Sequence, residues 1–188
     1  MKACVLYYDG FCEFEVVFAF TILKNNIFSA ALENRVYKSE ENQKYLPDIT
    51  IGELNPEEID LFIIPGGDLS HLYENKEIIE FISALDDKKK YIAGICGGVE
   101  LMAKCGVLDN KKCTGDSQGI ILNETNKNIY EKAIIQAGDF VIDGNCITSI
   151  GKAYVEFALE LGKLMKVYKN DEEVKEDYNW LKNIKEIK

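Results

Sequence analysis

The sequence predicts a single α/β domain built on a mostly parallel β-sheet with helices on both faces. Three observations carry this. Residues 59–64 (Ile-Asp-Leu-Phe-Ile-Ile) and 91–95 (Tyr-Ile-Ala-Gly-Ile) are almost wholly apolar, as strands covered on both faces must be. Stretches with apolar residues at helical spacing alternate with them, which is the pattern of strand–helix–strand units. Asp9-Gly10, Pro65-Gly66-Gly67 and Cys96-Gly97-Gly98 punctuate the strand ends with turn chemistry.

In chain order, residues 2–8 form an apolar run closed by Asp9-Gly10, and Phe14, Val17, Phe18, Thr21 and Ile22 then recur at helical spacing. Residues 28–32 are a second strand candidate. The polar stretch 38–44, Pro47-Asp48 and residues 49–54 predict a small hairpin or excursion from the main sheet. The central strand 59–64 ends at Pro65-Gly66-Gly67, helical periodicity runs from 72 to 85, and the charged cluster 86–90 turns the chain into strand 91–95. Val99, Leu101, Met102 and Cys105 continue as a helix that Gly106 can close, because glycine accepts the left-handed backbone that ends helices. Further strand candidates are 112–114, 119–122, 140–142 and 146–150, the last two joined across Asp143-Gly144-Asn145, a hairpin signal. Residues 153–165 carry a helical apolar stripe, and Val174, Tyr178, Leu181 and Ile184 place a final helix at about 171–187. With no repeat, low-complexity tract or linker, the chain reads as one domain over 1–188.

A chain of 188 residues with 47% apolar and 29% charged side chains is long enough to bury a full core without metal or disulfide staples. The net charge of −10 and pI of 4.7, with lysines dispersed, oppose binding to nucleic acid or to acidic membrane faces. No apolar run reaches the ~20 residues that span a bilayer, and the N-terminus meets Asp9 too early for a signal-peptide core. The six cysteines form no C-x-x-C pair, so reduced thiols in a cytoplasmic protein, without a metal or other cofactor, are expected.

The chemistry concentrates at Gly94-Ile95-Cys96-Gly97-Gly98, a G-x-C-x-G nucleophile elbow on a strand-to-helix turn. Gly94 and Gly98 would clear space around the projected thiol. A cysteine at a helix N-terminus is expected to have a lowered pKa. The backbone N–H groups of Gly97 and of Gly67 in the loop after the central strand would form an oxyanion hole.

These segments, in order, make the chain resemble the ThiJ/PfpI family of the class I glutamine amidotransferase-like superfamily. The resemblance spans Asp9-Gly10-Phe11, Glu13 to Glu15, Pro47-Asp48, the run from Asp60 to Gly67, the elbow, and Ile147-Thr148-Ser149-Ile150-Gly151 leading into Glu156-Phe157-Ala158-Leu159. It implies a flavodoxin-like fold and a homodimer. It also implies an acidic residue in the first helix aimed at the cysteine; Glu15 matches it best and Glu13 is the rival, since residues two apart on a helix face different ways.

Active hydrolase- or glyoxalase-like members carry a histidine about twenty residues after the cysteine, just beyond a strand ending in threonine. Here that stretch is Lys111-Lys112-Cys113-Thr114-Gly115-Asp116. The chain's one histidine is His71, so Asp116 and His71 are the auxiliary candidates.

The resemblance therefore implies a protein whose Cys96 and Glu15 act on a small electrophilic metabolite, by hydrolysis, hydration or lyase chemistry, or on an oxidant. The alternative is a redox-sensing or small-molecule-binding module without turnover. For such a sensor, Cys12 or Cys113 could resolve an oxidised Cys96. Glutaminase and protease chemistry are disfavoured by the missing histidine.

Overall fold

The computed structural model describes residues 1–185. Strand β1 (Ala3–Leu6) is buried along its whole length, and the turn at Asp9-Gly10 leads into α1 (Phe14–Leu23). A short 3-10 turn precedes β2 (Ile27–Ala31). The polar stretch makes a two-stranded antiparallel hairpin, β3 (Tyr37–Lys38) with β4 (Lys44–Tyr45), outside the main sheet as expected. Residues 49–54 are only partly strand: β5 (Ile49–Thr50) gives way to a 3-10 turn, Ile51–Glu53, because Thr50 and Glu53 close a reciprocal capping box there.

The apolar run yields β6 (Leu61–Ile64), whose four side chains are fully buried. Each contributes roughly 1.5 to 3 kcal/mol relative to an exposed position. Helix α2 (Lys76–Asp87) begins four residues later than the periodicity suggests. Residues Ser70–Leu72 form a separate 3-10 turn, and the Asn75 side chain then accepts the Ile78 N–H to start the helix. Strand β7 (Tyr91–Ile95) and helix α3 (Gly98–Lys104) flank the elbow.

Beyond them, β8 (Lys112–Cys113) pairs in parallel with β9 (Ile134–Ile135), a two-residue strand too short for the sequence pattern to reveal. The 119–122 strand candidate is not a strand: Gly119 has φ 119° and Ile121 and Leu122 are exposed, so nothing pairs or covers them. The expected hairpin is present, β10 (Phe140–Asp143) with β11 (Cys146–Ser149), turning at Gly144 with φ 61°. Helices α4 (Tyr154–Leu164) and α5 (Asp171–Leu181) complete the chain. The terminal helix ends at Leu181, and the end of its expected span, 186–187, lies outside the described residues.

The main sheet runs β10-β11-β7-β6-β1-β2-β5, parallel throughout except at β10. From β1 the chain crosses to β2 on one side, then returns to β6 on the other. Right-handed crossovers in opposite directions place α1 on one face and α2 and α3 on the other. Helix α4 packs against α1, and α5 against α4. The reversal opens a crevice at the carboxyl ends of β1 and β6, where open α/β sheets hold ligands.

Candidate active site

Strand β7 ends at Ile95, and the next residue must turn sharply into α3. Cys96 does so with φ 54°, a left-handed conformation uncommon for a residue with a side chain and characteristic of a held functional turn. The turn is over-determined by backbone bonds. The Cys96 N–H donates to Ser149 O at 2.9 Å and the Cys96 carbonyl accepts the Asp116 N–H at 3.2 Å. A Cβ on Gly98 would stand 2.1 Å from Ile64 O, so glycine there lets α3 start against the end of β6.

Glu15 reaches the thiol from α1. It is 1% exposed, and its Oε2 accepts the Gly66 N–H at 2.6 Å while its carboxyl faces Cys96. Gly66 and Gly151 wall the pair from two sides: a Cβ on Gly66 would lie 2.7 Å from both Glu15 Oε2 and Cys96 Cβ, and one on Gly151 would lie 2.9 Å from Glu15 Oε1. Glu13, the rival, points elsewhere and accepts a bond from Ser39 Oγ on the β3–β4 hairpin.

Burial pushes the Glu15 carboxyl up to about 7, against the opposing pull of the Gly66 N–H and of Cys96. Burial, followed by the negative field of Glu15, pushes the Cys96 thiol up to about 12, although the Gly97 N–H favours the thiolate. The lowered thiol pKa expected from a helix N-terminus is therefore corrected. Helix α3 is short, and its dipole is outweighed by desolvation and by the neighbouring carboxylates Glu15 and Asp116.

Cys96 and Gly97 open onto a cavity of about 490 Å³. Gly67 of the loop after β6 and Asp116 of the segment after β8 both line it. The stretch Lys111 to Asp116, where the histidine would be expected, holds none, and within it Gly115 follows Thr114. A Cβ there would meet Val99 Cβ at 2.8 Å, so the backbone leaves no room for a side chain. His71 is not brought to this cavity. It sits exposed in the 3-10 turn before α2, its ring 5.8 Å from that of Tyr8. Cys12 does line the cavity and donates to Glu40 Oε2 at 2.7 Å, whereas Cys113 is buried on β8. Among the described residues, no group of three or more His, Cys, Asp or Glu is placed to hold a metal ion.

Two contributors escape sequence reasoning. The Tyr8 hydroxyl, buried, donates toward the carbonyls of Pro65, at 2.9 Å, and Gly66, pinning the loop whose Gly66 N–H bonds Glu15. Gly151 closes the site from the loop after β11. Both act across more than fifty residues of sequence, and no local pattern announces such contacts.

The model of the DJ-1/PfpI family matches residues 1–164. The chain belongs to the DJ-1/PfpI family. Among similar DJ-1/PfpI proteins, a deglycase of Thermococcus kodakarensis is 24% identical over 79% of this chain and 89% of its own. The deglycase PfpI of Pyrococcus furiosus is 27% identical over 61% of this chain and 71% of its own. YdeA of Bacillus subtilis, called an uncharacterized protease, is 29% identical over 83% of this chain and 79% of its own. The structure of a thiJ/pfpI family protein from Bacillus anthracis superposes with a TM-score of 0.85 at 24% identity, covering 98% of this chain and 91% of that one. Drosophila melanogaster DJ-1beta superposes with a TM-score of 0.80 at 23% identity, covering 96% and 98%. These likenesses establish the flavodoxin-like DJ-1/ThiJ fold.

Proposed function

We propose that this DJ-1/PfpI protein is a cysteine-dependent enzyme acting on a small electrophilic metabolite, with Cys96 as nucleophile and Glu15 as its proton partner. The observation that carries the reading is the left-handed Cys96 elbow, its thiol packed against a buried carboxylate at the mouth of a cavity. Names of relatives support a cysteine enzyme without agreeing on its reaction, since four are called deglycases and two uncharacterized proteases.

In this reading the Cys96 sulfur attacks an electrophilic carbonyl carbon. The thiol proton passes to the ionised fraction of Glu15 and from there to the carbonyl oxygen, giving a covalent thiohemiacetal. A Glu15 pKa of about 7 suits a group that must both take and give that proton near neutrality. The Gly67 and Gly97 N–H groups are the candidate donors to the developing oxyanion, and Asp116 is the exposed carboxylate available for water activation.

The test is a screen of aldehydes, α-oxoaldehydes and small esters with wild type and Cys96→Ser. Turnover by the wild type alone supports the proposal; equal rates in both proteins refute it. A second reading, an oxidant-responsive module without turnover, is favoured by the stretch 111–116, which brings Asp116 but no imidazole to the site. It predicts a peroxide-dependent mass increase at Cys96 with no substrate consumed.

For the assembly, we propose a cytoplasmic homodimer. The exposed apolar residues Phe14 and Val17 beside Phe18 and Tyr154 support a shared face, with both Phe rings packed on Tyr154. Light scattering on Val17→Glu, expected to shift toward monomer, checks it. No helix among the described residues is long and apolar enough to cross a membrane.

A further inference from the structure

The walls of the Cys96 cavity carry a charge pattern that the family motifs do not encode. Glu40, Asp68, Glu100 and Asp116 all line it, from four different segments of the chain, and no Lys, Arg or His does. Among the described residues, none of the four is in an ion pair. Their hydrogen-bond contacts are with neutral donors: Glu40 accepts from Cys12, Asp68 from the Ser70 N–H and Asp116 from the Ser117 N–H. Lys104, one turn along α3 from Glu100, lies over the Tyr73 ring instead.

Four carboxylates on the rim and walls of one concave volume, three of them exposed and Glu100 half-buried, add up to a negative potential that repels anions and concentrates cations. The reacting atom sits at the same place, because Cys96 is itself a wall residue.

Resting on the reading of Cys96 as a nucleophile, we infer that the cavity selects electrophiles bearing an ammonium or guanidinium group. The bound cation then does two things. It pairs with wall carboxylates, and it offsets their field at the sulfur, which favours the thiolate in the way an imidazolium does in a Cys-His site. Binding the right substrate thus activates the nucleophile, while water and anionic electrophiles meet a protonated thiol.

The experiment compares the rates at which Cys96 is modified by three methanethiosulfonates: trimethylammonioethyl (cationic), methyl (neutral) and sulfonatoethyl (anionic). In each case the Cys96 sulfur attacks the reagent's divalent sulfur, the bond to the sulfonyl sulfur breaks, a disulfide forms and methanesulfinate leaves. Peptide mass spectrometry assigns the product to Cys96 rather than Cys12, and each rate is divided by that of N-acetylcysteine amide. The expected result at low salt is a cation-to-anion rate ratio at least about tenfold above that of the free thiol. The ratio should shrink toward the free-thiol value in about 0.5 M NaCl and in Asp68→Asn/Glu100→Gln.

A ratio equal to the free thiol's at low salt overturns the charge inference while leaving Cys96 reactive. So does a ratio that neither salt nor the double variant changes. No modification of Cys96 by any of the three reagents refutes the nucleophile reading itself, and the inference with it. The salt arm uses the wild-type protein alone, so the result does not depend on the variant folding.

Discussion

Replacing Glu15 by Gln removes the nearest negative charge from Cys96 while keeping an oxygen to accept the Gly66 N–H. Cys96 Sγ and Glu15 Oε2 lie 3.1 and 2.7 Å from the point where a Cβ on Gly66 would stand, so they are less than about 6 Å apart. At an effective dielectric of about 20, a unit charge at that distance disfavours the thiolate by roughly 3 kcal/mol, or about two pKa units. The direction is fixed: losing an anion favours the anionic sulfur, so the Cys96 titration moves down from about 12. Alkylation by iodoacetamide at about pH 9, where only the small thiolate fraction reacts, should therefore accelerate by up to about a hundredfold. The rate is followed at the Cys96 peptide from about pH 6 to pH 11 in both proteins. A Glu15→Gln profile that is unchanged, or shifted to higher pH, would refute the claim that the carboxylate's field holds the thiol protonated.

Further predictions concern stability and packing. In the folded protein Glu15 keeps its proton up to about 7, against an ordinary value of 4.5. The folded state therefore binds more protons than the unfolded one between these values, and stability falls as pH rises through that window, by about 3 kcal/mol. Urea unfolding should accordingly find Glu15→Gln more stable than wild type at about pH 8, with the advantage gone near pH 4. Gly66→Ala drives a methyl into both members of the pair. It should cost about 1 to 3 kcal/mol, lower Tm by several degrees and abolish Cys96 turnover; a calorimetric Tm equal to wild type contradicts the close approach. Lys111 Nζ sits 3.1 Å from Asp86 Oδ1 and from Asn145 Oδ1 and 3.2 Å from Cys146 Sγ. Lys111→Met strands these partners, Asn145 and Cys146 buried and Asp86 half-buried, and should cost about 1 to 3 kcal/mol in a denaturant melt.

The elements that the sequence announced are those whose signal is local. The run 59–64 could only be a strand covered on both faces, and β6 is buried at every position. The glycines around Cys96 announced a sharp turn, and the residue adopts φ 54°. Spacing alone kept Glu13 and Glu15 apart, and the fold turned Glu15 inward. The errors share a cause. Residues 119–122 have strand composition but find no neighbour, since a strand exists only when another chain segment satisfies its backbone. The thiol pKa departs from the sequence expectation because a helix N-terminus is visible in sequence, whereas burial and the approach of Glu15 and Asp116 are not.

By itself, then, the sequence determined the α/β class, the order of most elements, the elbow and the absence of a histidine after Thr114. Each of these depends on residue type and near-neighbour spacing, which a linear chain displays. Only the tertiary structure decided that Tyr8 pins the Pro65-Gly66 loop, that Gly66 and Gly151 enclose the Cys96–Glu15 pair, that Val99 fills the space beside Gly115, and that four distant carboxylates share one cavity. Those facts arise where the crossovers from β1 and β6 part and bring segments fifty or more residues apart within a few ångströms. Coulombic and steric terms depend on that separation in space, and sequence separation does not contain it.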